Sequence, residues 1–372
     1  MPGRDSMHAV YLRGYGGLDQ LDYTDQAPIP QPGPGEVLVR VGAAGINNTD
    51  INTRTGWYHT GVQRGTDAAG GARGFGVEQG GMGDWSGDIC FPRIQGADVA
   101  GRIAFTGEAV DSGLADRRVI CDPYWRQSGN PDDLDGATFL GADHDGGFAE
   151  YLRMPARNAI ALPEDLPLSD AALATLPCSG GTAMNMLLLA GVGPGDRMLV
   201  TGASGGVGSF LLQIGRQLGA EVVGVAAAGK IERLGEIGAH AVIERETEDF
   251  VAAATDAGGG GAYSVVADVV GGERFVDCLA LLGRGGRYVT AGAIAGAQVP
   301  LDLRTLYLKN LAFFGSTVFL AQTMPRLVEL ALAGELEPAV ERSYPLGEIR
   351  EAQTHFLEKT HVGSLVLIPP AS

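Results

Sequence analysis

The sequence predicts an α/β protein in which a doubly wound parallel sheet interrupts a β-rich unit. Three observations carry this. Strand and helix patterns alternate from Arg197 to Thr290, the texture of a parallel sheet covered on both faces. A glycine-rich turn at Val200–Ser209 leaves an apolar strand and opens a helix. The length, 372 residues, suits about two domains.

The first 60 residues read as β-rich. Val10–Leu12 opens one strand, and Gly35–Gly42 alternates as a half-buried strand does. Pro28, Pro30, Pro32 and Pro34 between them form an extended linker. Gly61–Cys90 is poor in large apolar residues and reads as a mobile surface loop. Order returns with Phe91–Ile94 and continues to Val119-Ile120, an Asp-rich loop covers 122–143, and a strand follows at 147–152. Leu168–Leu189 has helical periodicity. Arg197–Thr201, Glu221–Ala226, Tyr263–Val269 and Gly286–Thr290 read as strands, with helices at Val207–Leu218 and Lys230–Ile237. Leu311 begins a mixed tail.

Glycine stands out, 58 of 372 residues, about twice the usual share, but without a three-residue period. A net charge of −17 repels phosphate backbones and anionic membranes, which argues against nucleic-acid and lipid partners. Cys90, Cys121, Cys178 and Cys278 are scattered, so neither a disulfide framework nor a local zinc knuckle is expected. The N-terminus lacks the apolar core of a signal peptide, and the longest apolar run, Met184–Val192, is short for a bilayer. A reducing cytoplasm is the expected setting.

In the glycine turn Ala203 takes the first slot of GxGxxG, while Gly205 and Gly208 keep the others, with Ser204, Gly206 and Val207 between. Such a turn brings backbone N–H groups at a helix start against a pyrophosphate, so a dinucleotide site is expected. At the end of the next strand an NAD site usually holds Asp or Glu. Here stand Ala226-Ala-Ala-Gly-Lys230, with Arg233 and Arg245 beyond. An open, basic pocket accepts a 2′-phosphate, which points to NADP(H), unless these are merely solvated helix charges.

Further motifs are Gly45-Ile-Asn-Asn-Thr-Asp50, Gln95-Gly-Ala-Asp-Val-Ala-Gly101, Gly146-Gly-Phe-Ala-Glu-Tyr151, Leu176–Thr182, Gly283–Tyr288 and Gly363–Leu367. With the glycine turn, they make the chain resemble the medium-chain dehydrogenase/reductase superfamily, in its zinc-free, quinone-oxidoreductase-like branch. The resemblance implies a GroES-like catalytic domain (1–157 and 308–372) around a Rossmann NADP(H)-binding domain (158–307). Matched by motif, the zinc-dependent relatives' Cys, His and Glu positions hold Asn47, Ala97 and Asp98, and only Cys178 remains. No metal site is expected, unless Asp98 and Cys178 converge with His59 or His144. The resemblance also places Thr182 and Gly292-Ala293-Ile294 beside the nicotinamide, with Ser316 lining the same cleft. Ser364 stands where many relatives carry Lys.

Without a Lewis acid, hydride transfer suits a quinone or a conjugated enone, whose developing charge hydrogen-bond donors can hold. The resemblance puts Asn47 and Asp50 at the active site and Tyr58 on the same segment. Asn47 is read as a polarising donor and Tyr58 as a donor or proton source. The plainer roles are backbone satisfaction for Asn47, helix capping for Asp50 and packing for Tyr58. Trp57, Trp85 and Tyr124-Trp125 are candidate pocket walls, and the 61–90 segment a candidate lid. The expected function is a zinc-independent, NADPH-dependent reductase of a small quinone or enone. The alternatives are a zinc alcohol dehydrogenase with rearranged ligands and a non-catalytic NADPH-binding protein. Leu311–Val318 resembles the edge strand through which relatives pair, so a homodimer is expected, or a tetramer built on it.

Overall fold

The computed structural model describes residues 5–66, 68–77, 89–128, 130 and 133–371. Two compact units form: Met1–Val62 with Ala68–Cys178 and Val340–Ser372, and Gln63–Asp67 with Ser179–Ala339.

The first unit opens with β1 (Ser6–Leu12), β2 (Leu21–Pro28) and β3 (Glu36–Ile46), then α1 (Asn48–Thr55) and α2 (Ala68–Arg73). Next come β4 (Arg93–Ile94), β5 (Asp98–Thr106), β6 (Arg118–Cys121), β7 (Tyr124–Arg126), β8 (Ala137–Phe139), β9 (Tyr151–Pro155), β10 (Ala159–Ala161) and α3 (Asp170–Leu173). β3 runs four residues past its expected end because β5 and β18 (Ser364–Ile368) pair with its far end, while β9 pairs with its start. That central place buries Val37, Leu38 and Val39 alike, where a half-buried strand would alternate. The main sheet runs β10-β6-β5-β3-β18-β17, with β17 spanning Val340–Pro345. An apolar core that includes Leu38, Ile103, Phe148 and Leu365 fills the unit.

The glycine-rich segment is only partly a loop. α2 lies within it, and a side chain at Gly71 would meet Leu357 at 2.2 Å, so glycine allows contact with α11 (Ile349–Glu358). Buried Arg54 fastens the same place. It donates to Gly71 O (2.7 Å), Gly16 O (2.9 Å) and Gln353 Oε1 (2.9 Å). The proposed lid's centre, 78–88 with Trp85, lies outside the described residues.

The second unit holds α4 (Gly181–Leu189), β11 (Arg197–Val200), α5 (Gly206–Gln217), β12 (Glu221–Ala226), α6 (Ile231–Ile237), β13 (Ala241–Glu244) and α7 (Phe250–Ala257). It continues through β14 (Tyr263–Asp268), α8 (Arg274–Leu281), β15 (Leu282–Thr290), α9 (Leu303–Leu308), β16 (Ala312–Gly315) and α10 (Thr323–Leu332). Its sheet, β13-β12-β11-β14-β15-β16, is parallel throughout, the expected doubly wound arrangement.

The chain passes between units after Cys178 and before Val340, later at both points than 157/158 and 307/308. Pairing explains the difference. β10 extends β6 in the first sheet, whereas β16 extends β15 in the second and α10 packs on α4. Asp170–Leu189 is one helical stretch long and apolar enough by composition to cross a membrane, yet it is 78% buried within the protein.

Candidate active site

In the first unit the site grows from the end of β3. Asn47 caps α1, and its backbone N–H donates to Asp50 Oδ2 at 2.8 Å, so Asp50 does cap the helix. The Asn47 amide donates to Asp98 Oδ2 at 2.9 Å, and the Cys178 N–H donates to Asp98 Oδ1 at 2.6 Å. Asp98 is 1% exposed. This carboxylate, weighed from sequence only as a metal ligand, ties the two motif positions together.

Burial, then the negative charge of Asp98, pushes the Asp50 carboxyl up to about 7. Burial and the same two carboxylates push the Cys178 thiol well above its ordinary range. Ala97 supplies only a buried methyl. One thiol and one carboxylate already engaged by two N–H donors fall short of the three protein ligands of a catalytic zinc. Neither expected histidine completes them: His59 Nδ1 accepts from Gly61 N–H at 3.1 Å, and His144 Nε2 meets Thr138 Oγ1 at 2.9 Å. Among the described residues no three His, Cys, Asp or Glu side chains cluster as a metal site. The donor set does not fit zinc.

The Tyr58 hydroxyl donates to Thr49 Oγ1 at 3.4 Å, folding back on the first turn of α1. Trp57 packs edge-on against it at 5.5 Å. Tyr124, on β7, is buried, and its phenol pKa is raised first by burial, then by Cys178 and Tyr58. That dependence gathers two phenols and a thiol in one electrostatic neighbourhood. Sequence reading took Tyr124 as a wall, with no signal for its hydroxyl. Its neighbour Trp125 belongs elsewhere, stacked on His144 at 4.1 Å.

In the second unit β11 leads through Gly202, at φ +57°, into the turn. Gly205 caps α5 in an extended conformation. A side chain at Gly208 would lie 2.2 Å from Gly202 O and 2.6 Å from Ala203 Cα, so glycine there lets the helix close on the turn. Lys230 reaches back to it, Nζ 3.2 Å from Ser204 Oγ, while Ala226 ends β12 without a carboxylate. Arg233 is paired instead with Glu236 at 2.7 Å, and Arg245 with Glu246 at 2.7 Å. Among the described residues Lys230 is bonded to the turn, whereas Arg233 and Arg245 meet neighbouring glutamates. The turn and Lys230 fit the phosphates of a dinucleotide cofactor.

Asp268, missed by sequence reading, closes the floor of this site. It accepts from the hydroxyls of Thr201 and Tyr288 and from the N–H of Val270 (2.8 Å) and Gly271 (3.1 Å). The 292–294 stretch is held through Ile294, whose carbonyl accepts from Thr66 N–H at 2.9 Å. Gly292 O accepts from Thr290 Oγ1 at 3.0 Å, and Ala293 O from Gly296 N–H at 3.0 Å. Ser316 Oγ accepts from Asn185 Nδ2 at 2.9 Å, an internal tie rather than an open hydroxyl. Thr182 lies in the first turn of α4, half-buried.

A family model described as alcohol dehydrogenase GroES-like domain matches residues 33–164, and one described as zinc-binding dehydrogenase matches 206–333. A crystal structure from Sinorhizobium meliloti 1021, provisionally named an alcohol dehydrogenase, is 42% identical, covers 99% of this chain and 98% of its own, and superposes with TM-score 0.88. An NAD-dependent alcohol dehydrogenase of Sulfurisphaera tokodaii is 27% identical over 93% of this chain and 96% of its own. A 2-haloacrylate reductase of a Burkholderia species is 27% identical over 98% and 99%.

Proposed function

This chain belongs to the medium-chain dehydrogenase/reductase superfamily, and from that premise we propose a zinc-independent, NADPH-dependent reductase of quinones or α,β-unsaturated carbonyls. That it is an oxidoreductase acting on a small molecule follows from the family and its relatives. The finer reading rests on one observation. Where zinc-dependent relatives carry ligands, this chain has an amide and a methyl, and the carboxylate of Asp98 accepts from Asn47 and Cys178.

Bound NADPH supplies the hydride. The chain's own part is to bind and orient. Ser204 and Lys230 hold the 2′-phosphate at the glycine turn, where a charge-assisted contact contributes most. Thr182, Gly292, Ala293 and Ile294 border the nicotinamide. Asn47, fixed by Asp98, polarises the acceptor oxygen, and the hydroxyls of Tyr58 and Tyr124 donate to the charge that develops there. Asp50 keeps a proton near neutral pH behind them. A relative named 2-haloacrylate reductase supports a conjugated carbon–carbon double bond as the electrophile. Pairing through β16, at the sheet edge, makes the protein a homodimer in this reading.

The test is stopped-flow oxidation of NADPH and NADH by a panel of small quinones and enones, alongside metal analysis. NADPH oxidation that survives chelation is expected. One equivalent of zinc, lost together with activity, would show the alcohol dehydrogenase instead. Tight NADPH binding with no oxidation by any acceptor would show a binding protein.

A further inference from the structure

We propose that Asp268 is a positioning residue for hydride transfer: its carboxylate sets the 292–296 stretch against the glycine turn, and with it the nicotinamide against the phosphates. This rests on the reading above, in which Gly292, Ala293 and Ile294 border the nicotinamide.

Asp268 ends β14 and is 1% exposed. A carboxylate so buried is costly unless hydrogen bonds replace its lost water. One oxygen accepts from the Thr201 hydroxyl, from Val270 N–H at 2.8 Å and from Gly271 N–H at 3.1 Å. The other accepts from the Tyr288 hydroxyl. Thr201 directly follows β11 and Tyr288 lies near the end of β15. Three neighbouring parallel strands, β11, β14 and β15, therefore meet on one carboxylate at their C-terminal ends, the edge where doubly wound sheets bind ligands.

From Asp268 the bonds run on to the nicotinamide side. Val270 O accepts from Ala295 N–H at 2.9 Å, and Gly296 O accepts from Gly272 N–H at 3.0 Å. A side chain at Gly271, whose φ is +63°, would lie 2.8 Å from Gly296 O. Backbone touches backbone there, so a shift of 270–272 carries 293–296 with it. The glycine turn has anchors of its own. Thr201 N–H donates to Ala267 O at 3.1 Å and Ala203 N–H to Val225 O at 3.2 Å. Loss of the carboxylate should thus disturb the nicotinamide end of the cofactor and spare the phosphate end. A carboxylate that only stabilised the fold would make no such distinction.

The experiment compares the natural chain with Asp268→Asn by calorimetric titration with NADPH and with 2′-phospho-ADP-ribose, the same cofactor without its nicotinamide. If the natural chain prefers NADH, then NADH and ADP-ribose form the pair. The variant should bind the fragment within about twofold of the natural chain and the intact cofactor about tenfold more weakly. Single-turnover hydride transfer should slow about a hundredfold, the scale of a misplacement of about 1 Å. Thr201→Val, which removes the hydroxyl between turn and carboxylate, should give the same split at about fivefold. It decides the matter if Asp268→Asn does not fold by circular dichroism. Equal losses for fragment and intact cofactor, or no loss for either, overturn the inference. The two titrations need no acceptor, so a natural chain that binds NADPH and reduces nothing refutes the proposed function alone.

Discussion

The side-chain amide of Asn47 donates to Asp98 at 2.9 Å across 51 residues of sequence, and the other oxygen of Asp98 holds the backbone of Cys178. Removing that carboxylate orphans two buried donors, each costing about 1–3 kcal/mol. Asp98→Ala should therefore lower the unfolding free energy by roughly 4 kcal/mol, and Asp98→Asn, which keeps one acceptor, by about half. Urea unfolding compares them. Equal losses would mean that volume, not hydrogen bonding, sets the effect.

Lys230 beside Ser204 predicts cofactor choice. Lys230→Ala should weaken NADPH binding about 10–100-fold, the span of a charge-assisted contact, and leave NADH nearly unchanged. Fluorescence titration with both cofactors reads this. Arg233→Ala should change little, since that side chain is exposed and paired with Glu236. Parallel losses for the two cofactors after Lys230→Ala would remove Lys230 from the 2′-phosphate.

Asp50 sets a pH dependence. Its folded pKa of about 7 lies above the ordinary 3.8, so between those values the folded state holds a proton that the unfolded state has lost. Stability from this group is complete below about pH 4 and declines as pH rises toward 7, by on the order of 4 kcal/mol. Asp50→Asn removes that slope. Denaturant unfolding at pH 5 and 8 should show a fall for the natural protein beyond that of the variant. Parallel behaviour of the two would rule out a protonated Asp50.

Arg54 is fully buried, and burial brings its pKa down to about 10, so it stays charged at neutral pH while its donors hold Gly16, Gly71 and Gln353. Arg54→Met should cost about 3 kcal/mol, by orphaning acceptors and losing charged hydrogen bonds. It should also speed proteolysis near α2. Limited proteolysis with mapped cleavage sites checks the second point, and unchanged cleavage there would detach Arg54 from the segment.

At the β16 edge Phe313 is 36% exposed, near Leu303 at 64% and Tyr307 at 62% in sequence. Phe313→Glu should turn a dimer into monomers, since a buried unpaired carboxylate opposes pairing. Light scattering across a dilution series decides it. An unchanged mass would place the interface elsewhere.

The doubly wound half was legible because its signals are local: strand and helix periods, helix-closing glycines and a turn whose neighbours lie in the same short stretch. The amide at Asn47 and the methyl at Ala97 were legible for the same reason, since a residue's donor chemistry travels with its identity. Partner choice does not. Asp98 meets Cys178 across 80 residues, and Arg54 meets Gln353 across 299. β3 gained its length from a strand at the far end of the chain. Arg233 and Arg245 turned to adjacent glutamates, and Ser316 to Asn185. Sequence alone settled which groups are available and the local backbone that carries them. Tertiary structure decided which of them meet and which are desolvated, because burial and hydrogen-bond pairing depend on positions in space that no local pattern encodes.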